Sequence, residues 1–190
     1  MTESRKPFMS VRQMVTMGLL AAMGIVLVAF IEIPIFPAAP YLKYDPADLP
    51  ILVGAMIYGP IPGLLLSVVV SYEQAVVVRG AGGVGGFLVR VTAPGAMSSV
   101  VGIIDRRGSK SIVRLALALV AGVITMTAVM VGMNLLVTPI YTGVSVDKVK
   151  QMLLPIIIPF NLLKAGINSV LAGIVAGILE RRKLLPSEEN

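Results

Sequence analysis

The chain contains no cysteine and no histidine. The first absence excludes disulfides and thiol catalysis, and the second removes the commonest metal ligand and acid–base group. Charge is scarce too: Asp, Glu, Lys and Arg make up 14% of the residues against 56% hydrophobic, with a mean hydropathy of +0.91. That balance is the composition of an integral membrane protein, and 190 residues suit a single domain, 1–190. The net charge of +6 is not a nucleic-acid footprint. Ten of the sixteen Lys and Arg lie at Arg5, Lys6 and Arg12, at Arg106, Arg107, Lys110 and Arg114, and at Arg181, Arg182 and Lys183. These clusters flank apolar runs, so the basicity reports which ends face the cytoplasm.

What the chain does have is long apolar stretches. They predict an all-α integral membrane protein with helices at about 11–31, 47–58, 61–78, 84–104, 112–138 and 155–180. Six spans put both termini in the cytoplasm and leave a structured first extracellular loop. The run from Met14 to Ile31 is too long for a signal-peptide core, and Ile33-Pro34 follows it rather than a small-residue cleavage site, so it is read as a retained helix. Gly18 and Ala22 on this helix form a small-xxx-small step open to close approach by another helix. The segment 47–58, cut by Gly59-Pro60, is too short to cross alone and needs neighbours to shield it. Asp105 to Arg114 reads as a basic inner loop, 142–154 as a polar outer loop, and Leu184 to Asn190 as a disordered tail. The glycine-rich RGAGGVGG at 79–86 lacks the GK[ST] ending of a P-loop and follows no strand, so it is read as a hairpin between helices. No nucleophile with an adjacent base is visible, which argues against an enzyme. No internal repeat is evident, against the inverted-repeat transporter folds.

Polar residues inside these spans are the candidate functional groups. Asn161, Lys164 and Asn168 share one face of the last helix. They either let Lys164 snorkel to the outer headgroups or line a polar ligand pocket just below the outer surface, and two amides beside the charge favour the pocket. Asn134, near the outer end of the fifth helix, is either interhelical glue or part of that pocket. Glu73 and Arg90 stand at similar depth on antiparallel helices and are expected to form an ion pair. Residues 31–50 carry five prolines with Tyr41, Lys43, Tyr44, Asp45 and Asp48. This stretch is either a solvated connection with Asp48 capping the next helix or a lid over the pocket.

Three passages together resemble the substrate-binding S components of energy-coupling factor (ECF) vitamin transporters, the riboflavin-specific branch in particular. They are FIEIPIFPAAPYLKYDPADLP at 30–50, MNLLVTPIY at 133–141 and IPFNLLKAG at 158–166, within a likeness that extends through most of residues 10–183. The resemblance implies a non-enzymatic, six-helix subunit of a prokaryotic plasma membrane that captures riboflavin from outside. It further implies docking on a transmembrane coupling subunit driven by two ATPases, with toppling in the membrane to release the cargo; no cofactor is implied. By resemblance Asn134, Asn161 and Lys164 hydrogen-bond the flavin's polar edge or ribityl chain, and the loop through Tyr41, Leu42 and Asp48 covers it. Gly18 and Ala22 fall on the face that meets the coupling subunit. The chain departs from its relatives at SYEQ (71–74), where a Lys-Asn pair is common, and at GGFLVR (85–90), where an Asn-Phe step is common. The rival readings are an S component for another vitamin such as pantothenate, and a membrane scaffold with no small-molecule site.

Overall fold

Helix α1 (Val11–Phe30) begins where Ser10 and Gln13 cap each other. The Gln13 N–H donates to Ser10 Oγ at 3.2 Å, and the Ser10 N–H donates back to Gln13 Oε1 at 3.0 Å, so two of the helix's orphan donors are satisfied reciprocally. In the computed structural model the described residues are 9–37, 39, 42–78, 83–105 and 111–182. The helices after α1 are α2 (Asp48–Tyr58), α3 (Pro60–Glu73), α4 (Gly83–Asp105), α5 (Ile112–Thr142), α6 (Val146–Met152) and α7 (Ile158–Arg181). A π-helical turn, Gln74–Val78, extends α3, and another, Leu153–Ile157, joins α6 to α7. Tyr41, residues 79–82 of the 79–86 hairpin, residues 106–110 of the basic inner loop, Lys183 and the 184–190 tail lie outside the described residues.

By length and composition α1, α4, α5 and the α6–α7 unit can each cross a membrane, whereas Asp48–Tyr58 and Pro60–Val76 are shorter apolar helices. Burial explains how so short an element as α2 is tolerated. It packs against α1, α3, α4 and α7, and nearly all of its residues are buried, so its backbone is shielded by protein. The chain turns sharply from α2 to α3 at Gly59, whose φ of 93° favours glycine, followed by Pro60 in the first turn of α3. Around this centre α3 packs on α4, α4 on α5, and α5 on α7, while α1 lies outside against α2 and α3. The outward faces carry exposed side chains such as Leu19 and Val26 on α1, Leu117 and Ile124 on α5, and Val170 and Ile174 on α7. Apolar surface on this scale belongs in lipid.

Two expectations change on the side of the bundle that carries the first loop. Helix α5 does not stop at Thr138: it passes through Pro139 to Thr142 and ends at Gly143, in the left-handed region at φ 68°, with the Gly143 N–H donating to Pro139 O at 3.0 Å. Proline removes only its own helical donor here, and the glycine is the stop. The expected polar outer loop, 142–154, mostly folds into α6, which Ser145 caps by accepting from the Lys148 N–H. Pro155 sits in the π turn and Pro159 just after it, so two successive turns lack an N–H, and the hydrogen bonding widens where the first is lost.

The first loop is ordered by pairing rather than by helix. Strands β1 (Ile33–Pro34) and β2 (Lys43–Tyr44) run antiparallel, with Ile33 opposite Tyr44 and Pro34 opposite Lys43. Lys43 Nζ donates to Glu32 Oε2 at 2.9 Å across them. A small second core forms beneath this loop from Ala39, Leu42, Val149, Ile157 and Phe160, with Phe36 edge-on to Phe160 at a centroid distance of 6.4 Å. The loop is therefore packed onto α6 and the start of α7, and the solvated-connection reading of residues 31–50 does not hold.

Candidate ligand-binding site

Between the first loop and the helices lies a cavity of about 250 Å³. Its walls are largely apolar, with Ile51 from α2, Val89, Ala93 and Pro94 from α4, Met126, Met130 and Val137 from α5, and Phe160 from α7. The polar groups come from every side: Lys43, Asp45 and Asp48 from the loop and the first turn of α2, Ser71 and Gln74 from α3 and its π turn, and Arg90 from α4. Asn134 and Thr138 of α5, and Asn161 and Lys164 of α7, complete the lining. An apolar cavity with a few convergent polar groups is the usual form of a small-molecule site.

Lys164 does not reach out to headgroups. Its ammonium lies 3.2 Å from Asp45 Oδ1 and 3.7 Å from Asp48 Oδ2, and both aspartates are only 3% exposed. Asn168, one turn further along α7 and fully buried, holds the aspartates in place. Its amide donates to Asp48 Oδ2 at 3.1 Å and to the Asp45 carbonyl at 3.2 Å, and it accepts from the Tyr44 hydroxyl at 3.3 Å. The loop is thus fastened to α7 across 119 residues of sequence, from Asp45 to Lys164. Burial pushes the Tyr44 phenol above its ordinary value; the Lys164 ammonium opposes this and the two aspartates reinforce it. Tyr44 therefore remains a hydrogen-bond donor at neutral pH. Asp48 is not a helix cap: Ala47 occupies that position without a side-chain bond, and Asp48 stands inside α2's first turn facing Lys164 and Asn168.

The two cavity amides differ in how they are satisfied. Asn134 donates to Met130 O at 2.8 Å and accepts from Thr138 Oγ1 at 2.9 Å, both within α5. An amide has two N–H groups and two lone pairs, so each end keeps capacity for a ligand. Asn161, fully buried, donates to Ile157 O at 2.7 Å, while its Oδ1 has no hydrogen-bond partner among the described residues. A buried acceptor left unmade costs about 1–3 kcal/mol. Its place in the cavity lining makes a ligand N–H or O–H the natural complement.

The structure brings Asn134, Asn161, Lys164, Leu42 and Asp48 together around one cavity, whereas Tyr41 lies outside the described residues. The expected ion pair between Glu73 and Arg90 is absent among the described residues. Their depth is similar, because the Ser71 hydroxyl donates to the Arg90 carbonyl at 2.7 Å. The azimuth is what separates them: two residues along a helix turn it about 200°, so Glu73 projects away from the face Ser71 presents to α4. Arg90 turns to the cavity wall and Gln74 stands there beside Ser71. Gly18 and Ala22 lie exposed on the outer side of α1, and a side chain at Gly18 would meet nothing within 4 Å. From sequence Asp45 is only one of the polar residues of the first loop and Gln74 only part of the SYEQ departure, and neither is read as a ligand-site residue. The signals were the spacing of Asp45 and Asp48 around a proline, and the departure at 71–74.

The family model for the ECF transporter substrate-specific component matches residues 12–176. The chain is 27% identical over 175 residues to the riboflavin transporter FmnP of Bacillus subtilis (strain 168), covering 88% of this chain and 91% of that protein. A solved structure described as the S component of a bacterial ECF transporter superposes with a TM-score of 0.72 at 28% identity, over 91% of this chain and 95% of the other. Both likenesses cover between 88% and 95% of each chain. This multi-pass membrane protein belongs to the family of substrate-specific components of ECF transporters.

Proposed function

We propose that the chain is the riboflavin-binding subunit of an ECF-type importer, capturing the vitamin on the outer side of the plasma membrane. The observation that carries this reading is the cavity's charge balance. Lys164 faces Asp45 and Asp48, and Lys43 is bonded to Glu32, so the loop end of the site asks for no counter-ion. A neutral ligand with a flat apolar body and a polar edge suits such a cavity, with Asn134 and the open Oδ1 of Asn161 meeting its donors and acceptors. The likeness to a riboflavin transporter points the same way.

In this reading α1 to α5 and α7 are six membrane spans with both termini cytoplasmic, and the first loop with α6 forms the outer cap. Asn134, Asn161 and Lys164 hold the flavin, with Leu42 and Asp48 on the covering side. The subunit delivers its cargo through a transmembrane coupling subunit powered by two ATPases, and the exposed Gly18–Ala22 face of α1 is the surface offered to that partner. Arg90 in the α4 wall is the one feature favouring the rival reading, a carboxylate vitamin such as pantothenate. The test is to purify the protein in detergent from riboflavin-containing medium and record its visible spectrum. Flavin bands that survive gel filtration support the assignment. A colourless protein that also fails to quench added riboflavin's fluorescence sinks it.

A further inference from the structure

We propose that Asp45 and Asp48 are the charge-selecting residues of the cavity, neutralising Lys164 so that the site rejects anionic ligands and holds an uncharged one; this rests on the flavin reading above. Both carboxylates line the cavity as well as facing the ammonium. A ligand approaching Lys164 therefore meets them directly. With two carboxylates facing it, the Lys164 ammonium keeps no uncompensated positive charge to offer an anion at the loop end. The aspartates cannot swing away, since Asn168 holds Asp48 Oδ2 and the Asp45 carbonyl, and the Ala47 N–H donates to Asp45 Oδ1 at 3.4 Å. The other cations facing the cavity do not reverse this. Lys43 is bonded to Glu32, and Arg90 enters the lining from α4, which packs chiefly against α5, α3 and α2 rather than against α7, the helix that carries Lys164. Hydroxyl and imide donors are welcome at such an end, whereas a phosphate or carboxylate oxygen there is repelled at short range in a poorly screened site. The discriminating property is charge. Carboxylates that only fasten the loop to α7 would affect neutral and anionic ligands alike.

The experiment measures dissociation constants by flavin fluorescence quenching on the full chain in detergent. Riboflavin is the neutral probe. Two anionic probes carry the charge at opposite ends, riboflavin 5′-phosphate on the chain and a ring-carboxylated riboflavin on the ring, so the result does not depend on ligand orientation. The wild type is expected to prefer riboflavin to the probe whose charge falls at the loop end. Asp45→Asn and Asp48→Asn are each expected to narrow that preference by about 10-fold, and adding Lys164→Gln to Asp45→Asn should remove the gain. A preference unchanged in both variants for both anionic probes overturns the proposal, as does equal weakening of all three flavins. Should either variant fail to fold, the other carries the test. The wild type decides by itself if it binds both anionic flavins as tightly as riboflavin, which overturns selection and leaves the flavin reading intact. A wild type that binds none of the three overturns the flavin reading and this inference with it.

Discussion

Replacing Lys164 by methionine strips the cation from two buried carboxylates while keeping most of the side chain's apolar stem. With the ammonium at 3.2 Å from Asp45 and 3.7 Å from Asp48, the gross attractions at an effective dielectric of about 20 are about 5 and 4 kcal/mol. Desolvation of the three groups offsets much of that. The net effect of removing one partner of a buried pair is therefore nearer 3–5 kcal/mol, roughly the range found when an uncompensated charge is left behind. For a chain of this size each kcal/mol corresponds to about 2–4 °C in midpoint, so Lys164→Met is expected to lower the thermal midpoint by on the order of 10 °C. The assay is ligand-free unfolding in detergent followed by circular dichroism. A second variant, Lys164→Met with Asp45→Asn, removes one of the stranded charges and should recover about half of the loss. A loss of only a degree or two, or a double variant no more stable than the single one, would refute the idea that Lys164 and the aspartates form a coupled buried cluster.

Asn161→Leu should weaken flavin binding by about 10-fold or more, with only a small change in thermal midpoint, because losing the Nδ2 bond to the Ile157 carbonyl is offset by removing a buried Oδ1 that has no partner among the described residues; fluorescence titration beside a melting curve checks both halves. Gly102→Ala should destabilise by about 1–3 kcal/mol, since a Cβ there would lie 2.7 Å from the backbone nitrogen of Pro60 and 2.9 Å from the carbonyl carbon of Gly59. Gly18→Ala, which meets nothing, should be neutral for folding, and the two melts side by side are the test. Phe36→Ala removes the edge-on contact with Phe160 at 6.4 Å, an interaction of about 0.5–1.5 kcal/mol. It is expected to loosen the first loop and speed flavin release severalfold, read by stopped-flow displacement.

Much of the site could be read from sequence because rare residues in apolar helices stand out. Asn134, Asn161 and Lys164 are conspicuous against their neighbours, and all three line the cavity. Asn168 was equally conspicuous but serves a different end, locking the loop rather than lining the site. Periodicity cannot distinguish the two roles, because positions 161, 164 and 168 share a face and differ only in depth. The Glu73–Arg90 expectation failed for a related reason. Counting residues from a hairpin yields depth, whereas pairing also depends on azimuth, which is set by how α3 and α4 roll against each other.

What the sequence determined by itself was the solvent. Scarce charge, basic clusters at the ends of apolar runs and the lack of cysteine and histidine select a membrane bundle without thiol or histidine chemistry. The tertiary structure alone decided the electrostatic character of the site. Asp45 and Asp48 are more than a hundred residues from Lys164, and in sequence they look like loop carboxylates exposed to water. Only the packing of the first loop onto α6 and α7 buries them against the ammonium. Burial makes that contact strong, because a charge pair almost worthless in water becomes decisive where the surroundings cannot screen it.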